Sequence, residues 1–78
     1  MAQLTEAGIV TGTADKDYNL IWFTEVCLSN ALRLETYIED ARRSGDQEIA
    51  DLFRRAQENS IRGAEEAKSL LRERIDAA

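Results

Sequence analysis

Apolar residues recur at steps of three and four along the first half of the chain, at Leu20, Phe23, Cys27, Ala31, Leu34, Ile38 and Ala41. That spacing is the period of one helix face. A second run reads the same way: Ile49, Leu52 or Phe53, Ala56, Ser60, Gly63 or Ala64, Ala67, Leu70 or Leu71, and Ile75 or Arg74. The pattern predicts one helix over about residues 15–44 and another over about 46–75, joined by a turn at Gly45. Thr13 or Asp15 can cap the first helix, and Asp15 and Asp17 suit its positive end. Arg42 and Arg43 suit its negative end, Gly45 can take the left-handed cap conformation, and Asp46 can cap the second helix. Each helix would be roughly 43 Å long at about 1.5 Å per residue. So short a turn leaves only an antiparallel hairpin, in which facing positions sum to about 90. Ile38 then meets Leu52 and Phe53, Leu34 meets Ala56, Cys27 meets Gly63, Phe23 meets Ala67, and Asn30 can hydrogen-bond Ser60. At Gly63 a bulky neighbour such as Trp22 or Phe23 is expected to approach closely.

The two helices are unequal. The second is amphipathic, with acid-before-base pairs on its outer face at Asp51–Arg55 and Glu58–Arg62, matched by Glu39–Arg43 on the first. Such pairs add a few tenths of a kcal/mol each. From Tyr18 to Leu32, by contrast, the only charge is Glu25, and apolar side chains lie on more than one face. Leu20, Ile21, Trp22, Val26, Leu28 and Leu32 therefore form the candidate subunit interface, since one hairpin cannot cover them and exposure would leave a large apolar patch. The expectation is an all-α protein, a two-helix antiparallel hairpin over residues 15–76 that assembles into a four-helix bundle by homo-oligomerisation. Residues 1–14 have no helical period. They read as a disordered tail, or as an extended arm that buries Leu4, Ile9 and Val10 on a neighbouring subunit or a larger protein partner.

Composition narrows the chemistry. Seventy-eight residues make one small domain, which needs help from disulfides, a metal, good helix packing or oligomerisation. The single Cys27 excludes an internal disulfide and reads as a small buried hydrophobe. The absence of proline favours long unbroken helices. A net charge of −5 argues against nucleic acid, whose phosphates need a basic face. The apolar run is too short and too polar to span a membrane. No basic, apolar leader opens the chain, so a cytoplasmic location is expected. With no histidine, one cysteine and scattered glycines there is no catalytic triad, zinc spacing or phosphate loop. Catalytic, cofactor and metal residues are accordingly expected to be none.

The run ALRLETYIEDARRSGDQEIADLFRRAQENSIRGAEEAKSLL resembles the helical hairpin of rubrerythrins and other ferritin-like proteins. The likeness rests on an Arg-x-x-x-Tyr approach to the turn (Arg33, Tyr37) and on the pattern ARRSGDQEIADLFRRA. In that family one helix carries a metal-binding Glu and the next a Glu-x-x-His, and two hairpins build a di-iron site inside a four-helix bundle. Anchored on Gly45 and Ile49-Ala50, those ligand positions fall on Cys27, Ser60 and Gly63, none of which is a ligand of that set. The resemblance therefore implies half of a ferritin-like bundle without ferroxidase or peroxidase activity.

The expected function is non-enzymatic: a structural or interaction protein, such as an accessory or scaffold subunit, acting through helical self-association. One alternative is a carboxylate metal site formed between subunits by Glu25 with Glu35, Glu58 or Glu65. Against it stands the reading that Glu25 reaches the bundle edge or pairs with an arginine such as Arg33 or Arg62. Another alternative is an apolar-ligand groove beside Trp22, Gly63 and Ala67.

Overall fold

The computed structural model describes residues 10, 12–13 and 15–77. The arm expected over residues 1–14 lies outside the described residues except at positions 10, 12 and 13. Two helices, α1 (Asp15–Arg43) and α2 (Gln47–Ala77), pack against each other as an antiparallel hairpin. No helix among the described residues is long and apolar enough to cross a membrane.

Local chemistry sets the turn. The Asp46 N–H donates to the Ala41 carbonyl and the Gly45 N–H to that of Arg42, both at 2.9 Å, which is a Schellman closure of α1. Closing the helix this way puts Gly45 at φ 76°, a region that a side chain would strain. Asp46 then turns round and opens α2. Its carbonyl accepts from the Ala50 N–H at 3.1 Å and its Oδ1 from the Ile49 N–H at 3.1 Å. One residue thus ends one helix and caps the next, and the connection can be no shorter.

The register follows the expected sum. Tyr37 packs on Phe53 with ring centroids 5.5 Å apart, Asn30 donates to Ser60 Oγ at 2.8 Å, and Gly63 sits against Cys27. Gln57 Nε2 crosses from α2 to the Ala31 carbonyl and to Glu35 Oε1, each at 3.0 Å. At the open end Arg74 approaches Asp17 at 3.9 Å.

The core is built of small parts. Its buried members are Cys27, Leu34, Ile38, Ala41, Ala50, Ala64 and Ala67, with Thr24 beside them, and among the described residues no large side chain is fully buried. Facing positions run 20, 24, 27, 31, 34, 38 and 41 on α1 and 50, 53, 57, 60, 64, 67 and 71 on α2. This strict alternation of four and three is that of a left-handed helical pair. Several expected core positions shift by one residue as a result. Thr24 takes the central place expected for Phe23, which is half exposed. The substitution costs little because Thr24 Oγ1 donates to the Leu20 carbonyl at 2.8 Å, leaving only its methyl to pack. On α2, Ala50 is buried and Ile49 exposed, Phe53 is more covered than Leu52, and Leu71 more than Leu70. Alanine at these facing positions lets the backbones approach, and the larger neighbours are pushed to the flanks.

Surface ion pairs also differ from expectation. Arg43 pairs with Asp40 rather than Glu39, Arg54 with Asp51 at 3.3 Å where Arg55 was expected, and Arg62 donates to Asn59 at 3.3 Å rather than meeting Glu58. The three-residue spacing sets both groups on the same ridge, and exchanging one solvated partner for another changes little.

Candidate subunit interface

Apolar surface remains uncovered once the hairpin has closed, mostly on α1. Trp22 is 63% exposed and Leu32 76%, and Ile21, Phe23, Val26 and Leu28 are each about half exposed. Of the six residues singled out in the sequence, only Leu20 turns substantially inward, into a groove with Phe23, Leu70 and Arg74 near the open end.

The other five do not share one surface. At about 100° per residue, Ile21, Leu28 and Leu32 lie on one flank of the α1 seam, while Val26 and, further round, Trp22 lie on the opposite flank. A groove runs between the helices on each side of the seam. One is lined by Leu28, Ala31, Leu32, Glu35, Gln57 and Ile61. Another, on the far side near the turn, is lined by Tyr37, Asp40, Ala41, Ile49 and Phe53 among others.

Each side carries its own polar bridge between the helices, and the two differ in charge. On the Leu28 side the bridge is Gln57 to Glu35, and Lys68–Glu65 (3.0 Å) and Arg54–Asp51 (3.3 Å) lie along α2. On the Val26 side the bridge is the neutral pair Asn30 and Ser60. Helical spacing signals both bridges once the register is known, though only the second was foreseen.

Glu25 has a simple partner. Its Oε2 accepts from Ser29 Oγ at 2.6 Å, one turn along the same helix, and the carboxylate is exposed. The expected arginine partners are not used. Among the described residues, no group of three or more His, Cys, Asp or Glu side chains is placed to hold a metal ion. The three positions that the ferritin-like comparison singles out do come together at mid-hairpin, but they supply a thiol, a hydroxyl and a bare Cα. Cys27 Sγ and the Phe23 ring occupy the space in front of Gly63. Phe23, not Trp22, is thus the bulky neighbour that approaches this glycine, and Trp22 stands out toward solvent.

No family model, curated protein or solved structure matches the chain.

Proposed function

We propose that this chain is a non-enzymatic structural or interaction protein that acts through helical self-association, each hairpin supplying half of a ferritin-like four-helix bundle. The observation that carries the reading is an inversion of size. Alanines and a cysteine make up most of the hairpin's interior, while Ile21, Trp22, Phe23, Val26, Leu28 and Leu32 stand 42% to 76% exposed. Each such side chain that a partner covers contributes about 1 kcal/mol at ~25 cal/mol per Å². A closed homo-oligomer covers part of this surface without requiring a second gene product. Light scattering after size exclusion, on full-length chain at micromolar concentration, tests this. The expected mass is a whole multiple, at least twofold, of the 8.8 kDa chain. A single-chain mass over the whole concentration range overturns the reading.

A further inference from the structure

We infer that the side of the hairpin centred on Asn30 and Ser60 is the one covered by a second copy of this chain, and that this neutral pair sets the copy's register. The inference rests on the self-association proposed above and deepens it by choosing between two apolar sides.

Charge makes the choice. Along α1, the inner positions on this side are Phe23, Asn30 and Tyr37, with Asn19, Val26 and Arg33 together along the outer edge. Along α2 they are Ile49, Ala56, Gly63 and Leu70, next to Phe53 of the seam, with Leu52, Asn59 and Glu66 along the outer edge. From Phe23 to Tyr37, and from Ile49 to Leu70, the inner positions carry no acid or base, and the outer edge over the same lengths carries only Arg33 and Glu66. The opposite side has a charge at nearly every turn, among them Glu35, Arg54, Glu65 and Lys68. Depletion of charge at the centre is what distinguishes an interface from ordinary surface. Its size is also sufficient. A strip about 40 Å long and about 20 Å wide, two helices across, offers on the order of 800 Å² per chain, the share of a standard specific interface.

Position then gives the polar pair its role. Asn30 is one residue from the midpoint of α1, and Ser60 two from that of α2. A copy presenting the same side has two closed two-fold arrangements, with the turns at the same end or at opposite ends. Full overlap in either one stacks the Asn30–Ser60 pair on its own copy. The pair has capacity to spare there. Its one bond uses a single Nδ2–H of Asn30 and one lone pair of Ser60. The second amide hydrogen, the Oδ1 acceptor and the serine hydroxyl hydrogen are left for the copy. With the turns at one end, Ser60 of each chain can donate to Oδ1 of the other chain's Asn30, closing a ring of four hydrogen bonds. With the turns at opposite ends, the two Asn30 amides pair with each other. A slipped register would instead set these groups against apolar neighbours such as Val26 or Ala56 of the copy and leave them unsatisfied, which is how a buried asparagine selects register in coiled coils.

The test compares full-length wild type with Val26→Glu, Leu32→Glu and Asn30→Leu by light scattering and circular dichroism. The expected result is a dimer for wild type and for Leu32→Glu, with at least tenfold weaker association for Val26→Glu. Should the glutamate unfold the chain, Val26→Ala trims the same contact without burying a charge and is expected to weaken association severalfold. Asn30→Leu is expected to associate still, but as a mixture of masses in place of one. A Val26→Glu dimer as tight as wild type, or dissociation by Leu32→Glu in its stead, overturns the choice of side. A single, unchanged dimer of Asn30→Leu overturns the register role. A monomeric wild type removes self-association itself, so the two failures are distinguishable.

Discussion

The β-carbon that Gly63 lacks would stand 3.3 Å from Cys27 Sγ and 3.6 Å from the Phe23 ring. Two effects oppose each other at this site. Glycine in a helix interior costs about 1 kcal/mol relative to alanine, so Gly63→Ala gains that much from propensity. Cys27, however, is buried between the helices and cannot retreat far, and overpacking of this kind costs about 1–3 kcal/mol. Gly63→Ala is therefore expected to destabilise the wild type by about 1 kcal/mol. In a Cys27→Ala background, where the contact is gone, the same change should stabilise by a similar amount. Urea unfolding of the four chains closes the cycle. Equal effects in both backgrounds would mean that the sulfur does not limit this position.

The turn allows a cleaner separation of backbone and side-chain effects. Asp46→Ala removes the Oδ1 that receives the Ile49 N–H, and a lost N-cap costs about 1 kcal/mol, whereas Asp46→Asn keeps the acceptor and should be near neutral. Gly45→Ala leaves every hydrogen bond in place and places a β-carbon at φ 76°, with nothing within 4 Å to collide with. Its expected cost of roughly 1–2 kcal/mol is therefore conformational alone. Thermal melts rank the three. Asp46→Asn as damaging as Asp46→Ala would show that the charge, and not the cap, is what matters.

How much of this was legible follows from the physics at each residue. The turn could be read because Arg42, Arg43, Gly45 and Asp46 act through their own backbones, with rules that need no knowledge of the rest. The pairing of Asn30 with Ser60 followed from it, since a minimal turn leaves one register. The centre of the seam could not be read in the same way. Hydrophobicity ranks Phe23 above Thr24 and Ile49 above Ala50, yet the smaller member of each pair is buried, because closeness of backbones decides the seam and size is exiled to its flanks. Periodicity alone is too coarse to separate neighbours 100° apart. For the same reason periodicity does not divide the six proposed interface residues into two sets. Only the rotation of α1 about its axis shows that Val26 and Leu32 lie on opposite flanks of the seam.

Ile38 and Leu34 are the two large aliphatic side chains of the buried core; Ile38 is the more enclosed, at 2% exposure, and lies one layer from the turn. Its neighbours across the seam include alanine, which has no rotamer with which to fill a void. Ile38→Ala is thus expected at the upper part of the usual range for such truncations, about 3–4 kcal/mol. In a hairpin with so few large buried groups that is a large share of the total stability. Far-UV circular dichroism at low micromolar concentration should show a largely unfolded chain. A helical, cooperatively melting Ile38→Ala would mean that the stability resides elsewhere, in surfaces the single hairpin does not itself bury.

That possibility leads to the concentration dependence of folding. A chain of this length rarely obtains more than about 3–5 kcal/mol from one core, and here the core is mostly alanine. Binding of a second folded copy adds stability by mass action, about 2.7 kcal/mol for a hundredfold excess over the dissociation constant. Each kcal/mol moves the midpoint by roughly 4–8 °C for a domain of about 60–100 residues. Raising the protein concentration a hundredfold should therefore raise Tm by roughly 10 °C or more. The shift should shrink in Val26→Glu, where the neutral side is spoiled, and persist in Leu32→Glu. Melts at a series of concentrations in one buffer decide the matter. A Tm independent of concentration would show that Leu34, Ile38 and their alanine partners hold the hairpin unaided, and that the apolar flanks of α1 contribute nothing to its folding.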